Sequence, residues 1–170
     1  MAKGTNSGTP GRDDWQTPRK LVSFLDDAWG PFVLDVAASA ANAVCKDYFS
    51  LETNGLVQDW HTDGNGTIWC NPPWGEARAW VEKAIMENRR HRTRIVMLLP
   101  ASTDTKWFWE LSAMAYILLM YGRVRFDLPG EEQDGNPMRP DRGAMVAILD
   151  RSIFPAIIAW DWREDMKYEG

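Results

Sequence analysis

Residues 67–100 read TIWCNPPWGEARAWVEKAIMENRRHRTRIVMLLP, and their reading decides the fold. Thr67 to Asn71 is a short, largely apolar strand that ends at Asn71-Pro72-Pro73-Trp74. Ala77, Trp80, Val81, Ala84, Ile85 and Asn88 then recur at helical spacing, and the basic run Arg89-Arg90-His91-Arg92 suits the carbonyl end of that helix. Ile95 to Leu99 is apolar without a break, as expected of a strand buried on both faces. Strand, helix and strand in close succession imply a largely parallel α/β sheet with helices on both faces.

The alternation continues outward in both directions. Upstream, Leu21, Leu25, Ala28 and Trp29 form an amphipathic helix, with Thr17 expected as its cap, Pro18 as its first residue and Gly30 past its end. A strand at Phe32 to Val36 runs into the small-residue loop Ala37-Ala38-Ser39. Asp47 to Leu51 is a weak strand candidate, and Leu56 to Trp60 another extended one. Downstream, Thr103 is positioned to cap a helix carrying Trp107, Phe108, Leu111 and Met114, and Tyr116 to Met120 and Ala144 to Leu149 complete the buried strands. The expected organisation is a flexible arm over residues 1–14 and one Rossmann-like domain over 15–170. One irregular segment, 127–143, is rich in Gly, Pro and charge, and loops of that length are usually functional or disordered.

Composition narrows the class. A chain of 170 residues with 45% apolar and 25% charged residues has the make-up of a single globular domain. Cys45 and Cys70 are the only cysteines and have no His cluster beside them in sequence, which argues against disulfides and structural zinc. The start of the chain lacks the apolar core of a signal peptide, and Ala113 to Tyr121 is too short to span a bilayer, so a cytoplasmic protein is expected. The net charge of −5 disfavours tight nonspecific DNA binding but leaves room for local basic patches. Ten Trp suit core packing first and base stacking second.

Ligands of open α/β sheets bind beyond the carboxyl ends of the strands, where Asp35-Val36-Ala37-Ala38-Ser39 and Asn71-Pro72-Pro73-Trp74 both fall. If their strands are neighbours, one pocket holds both. The second motif suits activation of a planar amino group, whose lone pair is delocalised. Accepting both amino hydrogens, through the Asn71 side-chain carbonyl and the Pro72 main-chain carbonyl, localises that pair on nitrogen. Pro73 fixes its own φ, and Pro72 holds Asn71 extended, so the acceptors are in place before substrate arrives. Trp74 offers a flat face to a flipped-out base. A chance match to Asn-Pro-Pro-aromatic in this length is on the order of a few in a thousand.

These motifs, taken in order, resemble the phage-type DNA adenine methyltransferase family, within the wider class of amino-methylating DNA methyltransferases. The resemblance runs from about Asp14 to Asp127. It is carried by Trp15-Gln16-Thr17-Pro18, Leu34 to Ser39 with Asn42, Gly55-Leu56, Asp59-Trp60, Trp69 to Trp74, Met97 to Ala101 and Gly122 to Phe126. It implies a class I S-adenosylmethionine-dependent fold, with DNA as substrate and no metal. Asn71, Pro72, Pro73 and Trp74 then correspond to the catalytic motif. Trp15, Thr17 and Pro18 correspond to the element at the methionine end of the cofactor. Asp35, with Ala37, Ala38 and Ser39, stands at the first cofactor motif and would meet the cofactor's amino group. Asp59 corresponds to the acid that reads the cofactor adenine, and Glu52 is the choice for the ribose hydroxyls. The family's wider class has a Gly-rich loop where this chain has Ala37-Ala38-Ser39, so a strict glycine fingerprint is absent.

Arg123, Arg125, Arg139 and Arg142 flank the long segment and are the expected DNA contacts. The run Arg89 to Arg94 reads better as a solvated helix end than as a phosphate site. With little room for a separate recognition domain, target reading is expected to use loop 127–143 and a second copy of the chain. A phage or prophage product of this kind would act in the bacterial cytoplasm and protect DNA from restriction. Four alternatives remain open at this point: methylation of an RNA adenine, methylation of a protein glutamine, a catalytically silent DNA-binding subunit, and a small-molecule-binding α/β protein, which would leave Trp15-Gln16-Thr17-Pro18 unexplained.

Overall fold

A computed structural model describes residues 16–64, 66–126 and 142–167. Side-chain alternation along its central strands explains the layering. β4 (Ile95–Pro100) is buried throughout. Its Ile95, Met97 and Leu99 join Ile68, Cys70, Met145 and Ala147 in one core, beneath Trp80, Val81, Phe108 and Leu111. Its Val96 and Leu98 join Trp69, Val146 and Ile148 in a second core, beneath Leu21 and Leu25. The helices α2 (Ala77–His91) and α3 (Lys106–Ser112) therefore cover one face, and α1 (Arg19–Trp29) covers the other. Leu21 and Leu25 are fully buried, and each such side chain contributes about 1.5–3 kcal/mol.

The sheet has seven strands in the order β2-β1-β3-β4-β6-β5-β7. They are β1 (Phe32–Asp35), β2 (Asp47–Tyr48), β3 (Thr67–Cys70), β4, β5 (Tyr116–Met120), β6 (Ala144–Leu149) and β7 (Ala156–Trp160). β6 runs antiparallel to both its neighbours, and the remaining pairings are parallel. The mostly parallel α/β class read from the sequence is the observed one. Among the described residues no helix is long and apolar enough to cross a membrane. Trp60, Trp69, Trp80, Trp107, Trp160 and Trp162 are buried, so most of the ten Trp serve the core.

Several local expectations are corrected. Leu56 to Trp60 forms turns rather than a strand, because buried Trp60 donates its indole N–H to the Gly55 carbonyl at 2.7 Å and folds the segment back. The third helix starts later than expected: Thr105, not Thr103, is its cap, accepting the Phe108 N–H at 3.4 Å. Thr17 does not cap α1, which begins at Arg19 after Pro18 and has no side-chain cap. β7 and the short helix α4 (Trp162–Asp165) were not foreseen. β7 is an edge strand with Ile157 and Ile158 each 42% exposed, so it lacks both alternation and full burial.

Candidate active site

β1 lies between β2 and β3, parallel to both, so the chain turns to opposite sides of the sheet after β1 and β3. This is a topological switch point, and the space beyond it is where open α/β sheets hold ligands. Both strand ends foreseen in the sequence open there. A cleft of about 750 Å³ is lined by Thr17, Asp35, Ala37, Ala38, Ser39, Glu52, Asn71, Pro72 and Pro73, among others. Its size falls in the range of small-molecule sites.

The floor is built from small residues and backbone bonds. The Ala38 N–H donates to the Phe49 carbonyl at 3.0 Å, and Asn42 Oδ1 accepts from the Ser39 N–H at 2.6 Å and its hydroxyl at 3.1 Å. Asp35 ends β1 and is 2% exposed. Its carboxylate accepts the Ala37 N–H at 3.3 Å and the Val44 N–H at 3.2 Å. Burial outweighs these two bonds and raises its pKa from 3.8 to about 6. Glu52 is exposed at the rim, and a hydrogen bond from the Ser50 hydroxyl lowers its pKa. Gly55 must be glycine, since a β-carbon there would collide with the Val36 carbonyl. Beside it Trp80 stacks on Trp60 with centroids 6.2 Å apart and lines the cleft, and its buried indole N–H has no partner among the described residues.

On the β3 side, Asn71 is half-buried, and its Nδ2 donates to Thr17 Oγ1 at 3.0 Å. One of its two amide N–H groups is so engaged, and the carbonyl Oδ1 has no partner among the described residues. Pro72 is buried, and Pro73 (φ −52°) leads into a 3-10 turn at Trp74–Glu76. Trp74 does not line the cleft. It packs edge-to-face on Phe126, with centroids 5.6 Å apart and planes at 84°. Asn71 thus lines the cleft, and the aromatic pair lies outside that lining.

A sequence model of the DNA N-6-adenine-methyltransferase (Dam) family matches residues 4–170. The chain belongs to this family. A DNA N-6-adenine-methyltransferase of Escherichia phage T1 is 40% identical over 134 residues, covering 79% of this chain and 53% of that protein. The chain thus spans about half that relative's length. A protein of the same description from Haemophilus phage HP1 is 29% identical over 141 residues, covering 80% of each chain. A solved structure of a Thermoplasma acidophilum protein covers 79% of this chain and 88% of its own, with TM-score 0.41 and 15% identity.

Other expected site residues of this Dam-family chain are distributed more unevenly. Asp59 is not in the cleft: its carboxylate pairs with Arg90 at 3.2 Å and with His91 at 2.5 Å, at the far end of α2. Pro18 does not line the cleft, while Trp15 and Arg139 lie outside the described residues, as do the arm 1–14 and most of segment 127–143. Arg123 and Arg125 are exposed just beyond the carboxyl end of β5, and exposed Arg142 precedes antiparallel β6. Topology therefore brings all three to the cleft's end of the sheet. The Arg89 to Arg94 run lies at the opposite end, where Arg94 pairs with Asp150 at 2.6 Å.

The structure adds residues that the sequence reading missed. Phe49, Leu51, Leu56, Glu76 and Trp80 also line the cleft. Leu51 is 91% exposed, so its apolar side chain is available to a ligand's ring. Its signal was an isolated Leu between polar residues directly after the β2 segment. His61 and His91, distant in sequence, have ring centroids 5.1 Å apart, and Asp59, Glu87 and His91 bring potential ligand atoms within 4.8 Å. Lys83 and Arg90 already pair with those carboxylates.

Proposed function

We propose that this chain methylates the exocyclic amino group of adenine in DNA, using S-adenosylmethionine. The observation that carries the reading is Asn71: its amide nitrogen is occupied by Thr17, which leaves Oδ1 as an acceptor beside the cleft. Family membership supports DNA adenine as the substrate over RNA or a protein amide.

The cleft suits the cofactor chemically. Asp35 is a buried carboxylate matched to the cofactor's amino group, Glu52 is an acid at the rim matched to ribose hydroxyls, and Trp80 has an orphaned N–H. Thr17, Ala37, Ala38 and Ser39 would border it, and Leu51 and Leu56 are apolar partners for its adenine. When bound, S-adenosylmethionine supplies an electrophilic sulfonium methyl group. The chain's own residues prepare the nucleophile. Asn71 Oδ1 accepts one hydrogen of the target amino group and the Pro72 carbonyl accepts the other, which localises the lone pair on nitrogen. The two prolines hold these acceptors before the base arrives, so little reorganisation is needed in the transition state.

Trp74 stacks on the flipped-out base, its plane held from the side by Phe126. Arg123, Arg125 and Arg142 contact phosphates at the same end of the sheet. Residues 127–143 contribute target reading, together with a second copy of the chain. The protein works in the cytoplasm of a bacterial cell and protects phage DNA from restriction. The reading is tested by titrating the protein with S-adenosylmethionine in a chelator, then following tritiated methyl transfer to unmodified duplex DNA. Binding without transfer would point to a silent subunit, and no binding would remove the methyltransferase reading.

A further inference from the structure

We propose that Thr17 positions the catalytic amide: its hydroxyl oxygen takes the Asn71 Nδ2–H, so that Oδ1 is the atom turned to the target base. The proposal rests on the methyl-transfer reading above and deepens it. An asparagine side chain carries an acceptor and two donors on one rotor. Half a turn exchanges them, and the adenine amino group, itself a donor, would then face donors. Something must distinguish the two ends.

The contact that does so joins residues 54 positions apart, Asn71 Nδ2 to Thr17 Oγ1 at 3.0 Å. Thr17 is anchored from both sides. Behind it, Val22 N–H donates to the Pro18 carbonyl at 3.1 Å, and α1 is seated by fully buried Leu21 and Leu25. Ahead of it, Gln16 Nε2 donates to the Ala41 carbonyl at 3.1 Å. Asn71 has little backbone freedom of its own, since the following proline restricts it to extended conformations. A hydroxyl can also donate, which would favour the wrong amide end. Thr17 borders the cleft, however, and a ligand acceptor bound there would receive the hydroxyl O–H and leave the oxygen's lone pairs to Asn71.

Thr17→Val keeps the shape and removes both hydrogen-bonding functions, whereas Thr17→Ser keeps them. The expected result is a kcat lower by about ten- to a hundred-fold in the Val variant, by analogy with loss of the hydrogen-bonding partner behind a metal ligand. KM for DNA should change much less, and Ser should restore most of the turnover. The second readout is independent of activity. In wild-type protein, the Asn71 side-chain amide resonances, assigned through Asn71→Asp, should show one proton protected from exchange, and Thr17→Val should abolish that protection. Unchanged kcat in Thr17→Val, or a defect confined to cofactor affinity, would overturn the proposal. An unprotected Asn71 amide in wild type would overturn it too, even if the Val variant fails to fold. A wild-type protein that transfers no methyl group would instead overturn the methyl-transfer reading itself.

Discussion

Asp35→Asn should separate stability from function. The buried carboxyl has its pKa raised from 3.8 to about 6 by desolvation, against two backbone donors. A displacement of that size corresponds to about 3 kcal/mol of disfavoured ionisation in the folded protein. The sign follows from linkage: the contribution to stability is full below about 3.8 and is lost as pH rises through about 6. At pH 7.5 the wild type bears that cost in full, and Asn removes it. An amide oxygen cannot serve as both carboxylate oxygens do, so either the Ala37 or the Val44 N–H loses its partner, at about 1–3 kcal/mol. The net change is about 0 to +2 kcal/mol, a melting temperature equal to wild type or several degrees higher at pH 7.5. Binding should move the other way. Loss of a charge-assisted bond of about 1.5–3 kcal/mol weakens S-adenosylhomocysteine by roughly ten- to a hundred-and-fifty-fold. Wild-type affinity should also fall about tenfold from pH 7 to pH 5 as Asp35 protonates, and the variant should be flat over that window. Differential scanning and isothermal titration calorimetry at the two pH values read both effects. A variant that melts far below wild type at pH 7.5, yet binds the ligand equally well, would refute the reasoning.

Two further substitutions address the motif itself. Asn71→Ala should lower turnover by about a hundred- to a thousand-fold while leaving cofactor affinity nearly unchanged, and Asn71→Asp should keep some activity because an acid still accepts; single-turnover kinetics beside calorimetry decide this. Trp74→Phe should retain substantial activity, whereas Trp74→Ala should lose about 1–3 kcal/mol of base stacking. A 2-aminopurine target should then fluoresce more brightly with the Ala variant than with wild type. Because Trp74 packs edge-to-face on Phe126 and, half-buried, against the core beneath α1, the Ala variant should also lose about 1–3 kcal/mol of stability, and a loss above about 3 kcal/mol would make it a core residue.

The legible parts were those whose physics is local. Helical spacing from Ala77 to Asn88 and the apolar run Ile95 to Leu99 each report burial within a few residues, and both elements formed where expected. Asp35 and Asn71 stand out in the sequence because strand ends are where such sheets bind ligands, and since β1 and β3 are neighbours both line one cleft. The misreadings involve contacts distant in sequence or elements at the edge. A threonine before proline looks like a cap until Asn71 is seen to occupy it. Asp59 keeps the spacing of a ligand-reading acid, but Arg90 and His91 arrive from α2 and engage it. Trp80 reads as one position on a helical stripe, and only the fold shows its ring closing the cleft over Gly55. β7 escaped notice because an edge strand is not obliged to bury either face.

The central claim is tested most directly by identifying the product. Unmodified double-stranded DNA is incubated with the protein and methyl-deuterated S-adenosylmethionine, in the presence of a chelator. The DNA is then digested and its nucleosides separated by mass spectrometry. The account predicts N6-methyldeoxyadenosine carrying the deuterated methyl group, formed by wild type and reduced at least a hundredfold with Asn71→Ala. Label on cytosine, label on no nucleoside, or equal label from the Ala variant would contradict it.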